Sequence, residues 1–129
     1  MKRVFKTRHF ARWSRKAGLL DDALCGAVSE MMRGLIDADL GGSVVKKRVP
    51  LPGRGKSGST RTLVATNKGS KWFFVFGFEK NERANIAAGD LEAFQKIAID
   101  LLRLNAQELN ELVGTEVLQE ICHDSQNAS

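Results

Sequence analysis

A group of basic residues around one aromatic ring is the part of the sequence best suited to chemistry. Four cations lie in or beside two segments with the composition of strands: Arg54, Lys56, Arg61 and Lys80. Phe78 precedes Lys80 by two positions. Cationic side chains bind phosphate oxygens and stabilise negative charge that develops on a phosphoryl group. An aromatic ring stacks on an unpaired base. These residue types indicate a site for a phosphate with an adjacent base.

A β-hairpin would bring these residues together. Arg61–Thr66 and Trp72–Phe78 are predicted to be strands, and Asn67–Ser70 between them is a turn. The second strand is apolar on both faces, which predicts a central and buried position in a sheet.

The register of this hairpin decides which side chains share a face. If Asn67 lies opposite Ser70, three cross-strand pairs follow: Arg61 with Phe76, Leu63 with Phe74, and Ala65 with Trp72. Alternate residues share a face, so the end far from the turn should carry Arg61, Phe78 and Lys80 together. A slip of one residue would destroy this arrangement.

The residues before the hairpin add further cations. In residues 45–49, Lys46 and Arg48 alternate with Val45, Lys47 and Val49, which predicts a strand with one basic face. We assign Lys47 as a further RNA contact. Pro50 to Gly58 is a loop rich in proline and glycine, and this loop carries Arg54 and Lys56.

Several other catalytic motifs are incomplete. Gly55-Lys56-Ser57 is similar to part of a nucleotide-binding P-loop, but Pro50 stands where that pattern needs its first glycine, and a strand follows instead of a helix. His9 and His123 lack the nearby thiols or spaced acids of a metal site. The expectation is therefore a protein without a metal or cofactor.

Helices should flank the strands on both sides in sequence. Val4 and Phe5 begin a short strand, and Thr7 caps a helix that ends near Gly18. Asp21 is predicted to cap a second, amphipathic helix with these apolar residues: Leu24, Val28, Met31, Met32 and Leu35.

The C-terminal part also has a helical pattern. Asp90 is predicted to cap a helix, and Asn105 with Glu108 resembles the capping box of another. Residues 115–122 fit a helix or a strand equally well. The expected fold class is α+β, with a small antiparallel sheet, two N-terminal helices and C-terminal helices.

The charge distribution is more uneven than the net charge of +5 suggests. Residues 1–83 hold 18 of the 20 lysines and arginines but only 7 of the 15 acids, and no acid lies between Asp39 and Glu79. A polyanion would be attracted to this region. Charge alone does not decide between a nucleic-acid site and a solvated basic surface.

Length and composition set the remaining expectations. The 129 residues fit a single domain, with a core over residues 4–113 and a frayed tail at residues 124–129. No apolar run is long enough to span a membrane, and the basic N-terminus lacks the apolar stretch of a signal peptide. We therefore expect a cytoplasmic protein without a membrane partner, in which Cys25 and Cys122 are reduced, buried thiols.

The sequence phrases of the hairpin resemble a known family. Ser59 to Thr66 after the glycine-rich basic loop, followed by Trp72 to Ile86 with its Gly-Phe-Glu-Lys80-Asn81 ending, resembles the RelE/ParE toxin superfamily. The HigB-like branch is the most similar. Four other segments also resemble it: Phe5 to Thr7, Phe10 to Trp13, Ala38 to Gly42, and Val45 to Arg48. The resemblance covers about residues 4–105.

The resemblance implies the toxin of a type II toxin–antitoxin system. It implies an endoribonuclease that cleaves mRNA, usually on the translating ribosome, by attack of a 2′-hydroxyl on the adjacent phosphate, without metal or cofactor. It also implies a cognate antitoxin, most often of the helix-turn-helix type, that blocks the basic surface. Residue by residue, it implies catalytic roles for Arg61, Lys80 and the loop cation, Lys56 or Arg54, and an RNA contact for Arg83.

One departure from the family pattern leaves alternatives open. The chain has no tyrosine, so relatives that use a tyrosine near the chain end have no counterpart here. Phe78 could stack a base but cannot move a proton, whereas Glu79, Glu82 or His9 could act as a base. The alternatives are a non-nucleolytic toxin that poisons DNA gyrase, a nucleic-acid-binding protein, and an inactive phage-derived remnant.

Overall fold

The structure of the protein is a computed structural model that describes residues 2–53, 59–83 and 85–123. This part of the chain forms four helices and one six-stranded sheet. The helices are α1 (Arg8–Ala17), α2 (Asp21–Met32), α3 (Ala88–Leu102) and α4 (Ala106–Gly114). The strands are β1 (Arg3–Thr7), β2 (Ala38–Gly41), β3 (Val44–Val49), β4 (Thr60–Thr66), β5 (Lys71–Glu79) and β6 (Leu118–Ile121). The α+β prediction is confirmed.

The sheet has the strand order β2-β3-β4-β5-β1-β6. β5 lies between β4 and β1, so the prediction of a central and buried strand is confirmed. β1 pairs in parallel with β5, and the other neighbours are antiparallel. Residues 118–121, which the sequence left open between helix and strand, form the edge strand β6 beside β1 and extend the sheet beyond residue 113.

The hairpin of β4 and β5 has a different register from the predicted one. Arg61 lies opposite Phe78, and Leu63 lies opposite Phe76. Nearer the turn the register shifts by one position, so that Ala65 lies opposite Phe73. The predicted pairs were therefore wrong, because a β-bulge interrupts the ladder and the turn closes one position later. Arg61 still shares its face with Phe78, as alternation requires.

Each face of the sheet is covered by one pair of helices. The α1/α2 face packs its strand residues under α1 and α2, and these residues are Val4, Val45, Val49, Val64, Trp72 and Phe74. The α3/α4 face packs its strand residues under α3 and α4, and these residues are Phe5, Val44, Leu63, Ala65, Phe73, Val75 and Leu118. The two hydrophobic cores bury the apolar surface that holds the layers together.

The predicted helix ends are confirmed where local chemistry sets them. Thr7 accepts a hydrogen bond from the Phe10 amide at the start of α1, and Gly18 ends it with φ of 78°. Asn105 and Glu108 form the capping box of α4. Asp21 and Asp90 do not cap their helices, because α2 and α3 begin earlier, after Leu20 and Ala87.

The two cysteines do not match their prediction. Cys25 of α2 and Cys122 after β6 form a disulfide, with their Cα atoms 5.4 Å apart. Both side chains pack against the core of the α1/α2 face. The expectation of two reduced thiols is therefore wrong for this structure, and the bond joins segments that are 97 residues apart in sequence.

Candidate nucleic-acid interface

Three neighbouring strands place a row of side chains at one end of the α3/α4 face. Arg48 of β3 lies opposite Arg61 of β4, and Arg61 lies opposite Phe78 of β5. Because cross-strand partners point to the same side of a sheet, the two guanidinium groups and the ring share one face. We call the cations at this end, Arg48, Arg61, Lys80 and Arg83, the cationic rim.

Arg61 occupies the centre of the row and is partly buried. Its Nη1 donates a hydrogen bond to the Ser59 carbonyl oxygen at 3.0 Å. Within the described ranges, no carboxylate lies at ion-pair distance from this guanidinium. Since a guanidinium has five N–H donors, Arg61 keeps donors for an oxyanion and is held in place by the Ser59 carbonyl.

Arg48 was not among the predicted site residues, although the alternating pattern of residues 45–49 placed it on the predicted basic face of the strand. Lys46 and Arg48 lie on the α3/α4 face, where their cross-strand partners are Leu63 and Arg61. The Arg48 side chain is 58% exposed, and its Nε lies 3.9 Å from Asp37. The predicted basic face of β3 is therefore the face that carries Arg61.

Arg83 joins the rim from the loop after β5. Its guanidinium carbon lies 5.3 Å from the centroid of the Phe76 ring and 5.9 Å from that of Phe78. A cation at this distance from an aromatic ring is attracted by the ring face. Arg83 also lies 3.9 Å from Asp90 at the start of α3. The loop therefore places the third guanidinium of the rim over the aromatic residues of β5.

Lys80 follows the last residue of β5 and is exposed. Because β5 ends at Glu79, strand alternation no longer fixes the direction of the Lys80 side chain. The turn itself is fixed by Glu82, whose carboxylate accepts a hydrogen bond from the Glu79 amide at 2.7 Å. The structure thus places Lys80 at the end of the hairpin far from the turn.

Phe78 does not offer the surface that base stacking needs. The residue is only 2% exposed, and its ring centroid lies 5.9 Å from the Arg83 guanidinium carbon and 6.1 Å from the centroid of Phe76. Phe76 is the more accessible of the two rings. The assignment of Phe78 as a stacking residue does not fit this burial. Phe78 instead packs against Arg83 and Phe76.

Lys47 does not lie with the cationic rim. It lies opposite Thr62 on the α1/α2 face, and its side chain is 9% exposed. Its ammonium group is 2.8 Å from Glu30 and donates to the Leu35 carbonyl oxygen at 2.9 Å. The assignment of Lys47 as an RNA contact is contradicted by this position, because α2 and the loop after it enclose the ammonium group.

The loop cations Arg54 and Lys56 lie outside the described residues, as does the end of the chain from residue 124. Their proposed roles stay predictions. The described ends of the loop are Gly53 and Ser59, and Ser59 directly precedes β4. The connection therefore starts and finishes beside the end of the sheet that carries Arg61.

His9, one of the three candidate bases in the sequence, lies next to the rim. It is the second residue of α1, it is exposed, and its ring lies parallel to that of Phe76 with 5.9 Å between centroids and 3° between planes. The sequence could have indicated this contact only if the position of α1 beside β5 had been known.

A paired cation stands at the opposite end of the same face. Arg3 of β1 donates two hydrogen bonds to Glu120 of β6, at 2.9 and 2.8 Å, and one to Asn110 of α4. The hydrogen bond from Arg3 holds the pKa of Glu120 below its usual value.

The described residues include no group of histidine, cysteine, aspartate and glutamate that could hold a metal ion.

Comparison with known proteins gives one family. The family model described as the RelE toxin of the RelE / RelB toxin–antitoxin system matches residues 2–121. No curated protein matches the chain.

In the part of the chain that the structure describes, no helix has both the length and the apolar character needed to cross a membrane.

Proposed function

The chain belongs to the RelE toxin family, and from that premise we propose that it is a cytoplasmic endoribonuclease that cleaves mRNA on the ribosome. Toxins of this family act in toxin–antitoxin systems and generally cleave mRNA. The family match does not separate the HigB-like branch from the others, so the branch stays a prediction.

The observation that supports a nuclease most directly is the position of Arg61. Its guanidinium lies between Arg48 and Phe78 in a continuous row across three strands, and no described carboxylate neutralises it. A phosphate held against Arg61 would receive charge-assisted hydrogen bonds, which are about twice as strong as neutral ones. Arg61 is therefore the residue we assign to the phosphate under attack.

The reaction we propose uses the RNA itself as the nucleophile. A 2′-hydroxyl attacks the neighbouring phosphorus, the bond from phosphorus to O5′ breaks, and the products are a 2′,3′-cyclic phosphate and a 5′-hydroxyl. Negative charge increases on the non-bridging oxygens in the transition state. Arg61 and Arg83 stabilise this charge, and Lys80 with the loop cations Lys56 and Arg54 bind the flanking phosphates.

The cognate antitoxin is the second partner implied by the family. We propose that it is a helix-turn-helix protein with an acidic segment that covers the cationic rim. Such a segment would compete directly with RNA, because both ligands present negative charge to Arg48 and Arg61. Binding of the antitoxin to the toxin would then weaken as salt concentration rises.

Substitution of Arg61 tests the proposed function. In Arg61→Ala we expect mRNA cleavage on programmed ribosomes to fall by about 10²–10³-fold, the typical loss when a transition-state hydrogen-bond donor is removed. The same variant should relieve growth arrest on induction. Transcript-end mapping gives the cleavage measurement.

The control is Arg33→Ala, which changes the net charge equally at an exposed residue that follows α2. It should cleave like the wild type. Equal cleavage by Arg61→Ala and the wild type would contradict this site. Growth arrest with intact transcripts would instead favour a non-nucleolytic toxin such as a gyrase poison.

A further inference from the structure

The proposed reaction requires a group that accepts a proton from the attacking 2′-hydroxyl. Arginine does not lose its proton in proteins, so Arg48, Arg61 and Arg83 cannot serve. The chain has no tyrosine. The proton acceptor must therefore come from another residue type near the cationic rim.

The two carboxylates nearest to the rim in sequence are committed elsewhere. Glu82 accepts a hydrogen bond from the Glu79 amide, which closes the turn after β5. Glu79 lies opposite Thr60, and Thr60 lies opposite Val49 of the α1/α2 face. Alternation therefore directs Glu79 away from the face that carries Arg61.

His9 is placed beside the rim by the way α1 packs on β5. The pairing of β1 with β5 extends to Lys6 and Phe74, and α1 follows directly after β1. Trp13 of α1 packs on Gly77 of β5, where a β-carbon would come within 2.2 Å of the indole ring. The close contact with Gly77 fixes α1 against this end of β5.

The imidazole and a rim guanidinium contact the same ring. His9 is parallel to Phe76 with 5.9 Å between centroids, and the Arg83 guanidinium carbon lies 5.3 Å from the Phe76 centroid. Phe94 of α3 packs on Phe76 as well, with 4.9 Å between centroids. Phe76 is thus packed against α3, and both His9 and Arg83 contact its ring.

We propose that His9 is the proton acceptor of the ribonuclease reaction. As the bond from O2′ to phosphorus forms, a nitrogen of the imidazole takes the 2′-hydroxyl proton. The bond from phosphorus to O5′ breaks, O5′ leaves with a proton from water, and the imidazolium returns its proton to solvent. This inference rests on the proposed nuclease function and adds to it the group that activates the nucleophile.

The test compares His9→Gln with His123→Gln, which removes the other histidine of the chain. His123 is exposed and contacts the Glu120 carbonyl oxygen near β6. On ribosomes programmed with a short mRNA, His9→Gln should lower kcat by about 10²–10⁴-fold with little change in KM. His123→Gln should cleave at the wild-type rate. Binding of a 2′-O-methyl oligoribonucleotide, which has no nucleophile, should be unchanged in both variants.

Chemical rescue separates proton transfer from a structural role. Imidazole added to His9→Ala should restore part of the cleavage rate, because His9 is exposed and the vacated space is open to solvent. Imidazole should not affect Arg61→Ala. Wild-type cleavage by His9→Gln would overturn the assignment of His9 while leaving the nuclease in place. A rise in KM alone, or a loss without rescue, would also overturn it. No cleavage by the wild type would overturn the proposed function and this inference together.

Discussion

The two faces of the sheet use their basic residues in opposite ways. On the α1/α2 face, Lys6 and Lys47 are buried, with side chains 6% and 9% exposed, and each forms an ion pair at 2.7 or 2.8 Å. On the α3/α4 face, the side chains of Arg48 and Arg83 are 58% and 42% exposed, and their carboxylate partners lie 3.9 Å away. A buried charge must be paired or it destabilises the fold. The covering helices, rather than the residue type, therefore decide whether a cation is structural or free to bind a ligand.

The largest effect we expect concerns the disulfide that closes the α1/α2 face. Closing a loop of about 100 residues stabilises a protein by about 4–5 kcal/mol in the chain-entropy account. Chemical denaturation of oxidised protein should therefore give a free energy of unfolding larger by about that amount than in the presence of reductant.

The double variant Cys25→Ser/Cys122→Ser is the control for the disulfide. It should unfold at one midpoint with or without reductant, close to that of the reduced wild type. If the wild type has the same midpoint in both conditions, Cys25 and Cys122 are not joined in solution, and the prediction of two thiols made from the sequence would stand.

A matched pair on β3 tests the contrast between the faces most directly. Lys47→Met should lower the free energy of unfolding by about 2 kcal/mol, because it removes a buried ion pair and leaves the Leu35 carbonyl without its donor. Arg48→Met should change it by less than about 0.5 kcal/mol, since the side chain is mostly exposed.

RNA binding should show the reverse order for this pair. Arg48→Met should reduce the magnitude of the log–log salt slope by about 0.7, the value for one phosphate contact on a single strand. Lys47→Met should leave the slope unchanged. Titration of a labelled 2′-O-methyl RNA at several salt concentrations measures both. A reduced slope in Lys47→Met would show that the faces are less distinct than their burial indicates.

The smallest effect concerns the covered end of the α3/α4 face, where Arg3 is paired with Glu120. Glu120→Gln should lower the free energy of unfolding by about 1 kcal/mol at pH 7. The hydrogen bond from Arg3 lowers the pKa of Glu120 in the folded state. The stabilisation is therefore present above the pKa of an unfolded glutamate, about 4.3, and is lost as the pH falls through the folded value.

Denaturation of the wild type and Glu120→Gln at pH 7 and pH 3 measures this difference. We expect the gap between the two proteins to shrink at the lower pH. A gap that stays constant would mean that Glu120 contributes through packing or a neutral hydrogen bond rather than through its charge.

Local chemistry made much of the fold predictable. The cap of α1 at Thr7, its end at Gly18 and the capping box of α4 all depend on residues within a few positions of one another. The hairpin was also predictable, but its register was not. The run from Trp72 to Phe78 is apolar at every position except Gly77. The alternation of polar and apolar residues therefore does not show which of these side chains point to which face of the sheet.

The site was predictable only in part, for a related reason. Alternation along β3 separates Lys47 from Arg48, but the sequence does not say which face α2 will cover. Arg61 was assigned to the site because it opens a strand after a basic loop, and its role stays a prediction. His9 was named from the sequence only as one of three candidate bases, because its position beside Phe76 depends on the contact of α1 with β5. The pairing of Cys25 with Cys122 likewise depends on the whole sheet.

The position of β1 in the sheet has a consequence for how the chain is completed during its synthesis. Its two neighbours, β5 and β6, come from residues 71–79 and 118–121. β1 must therefore wait for residues 71–79 before one of its edges is paired, and for residues 118–121 before the other edge is paired. The β4–β5 hairpin that carries Arg61 needs only residues 60–79, so it can pair before the residues of β6 complete the sheet.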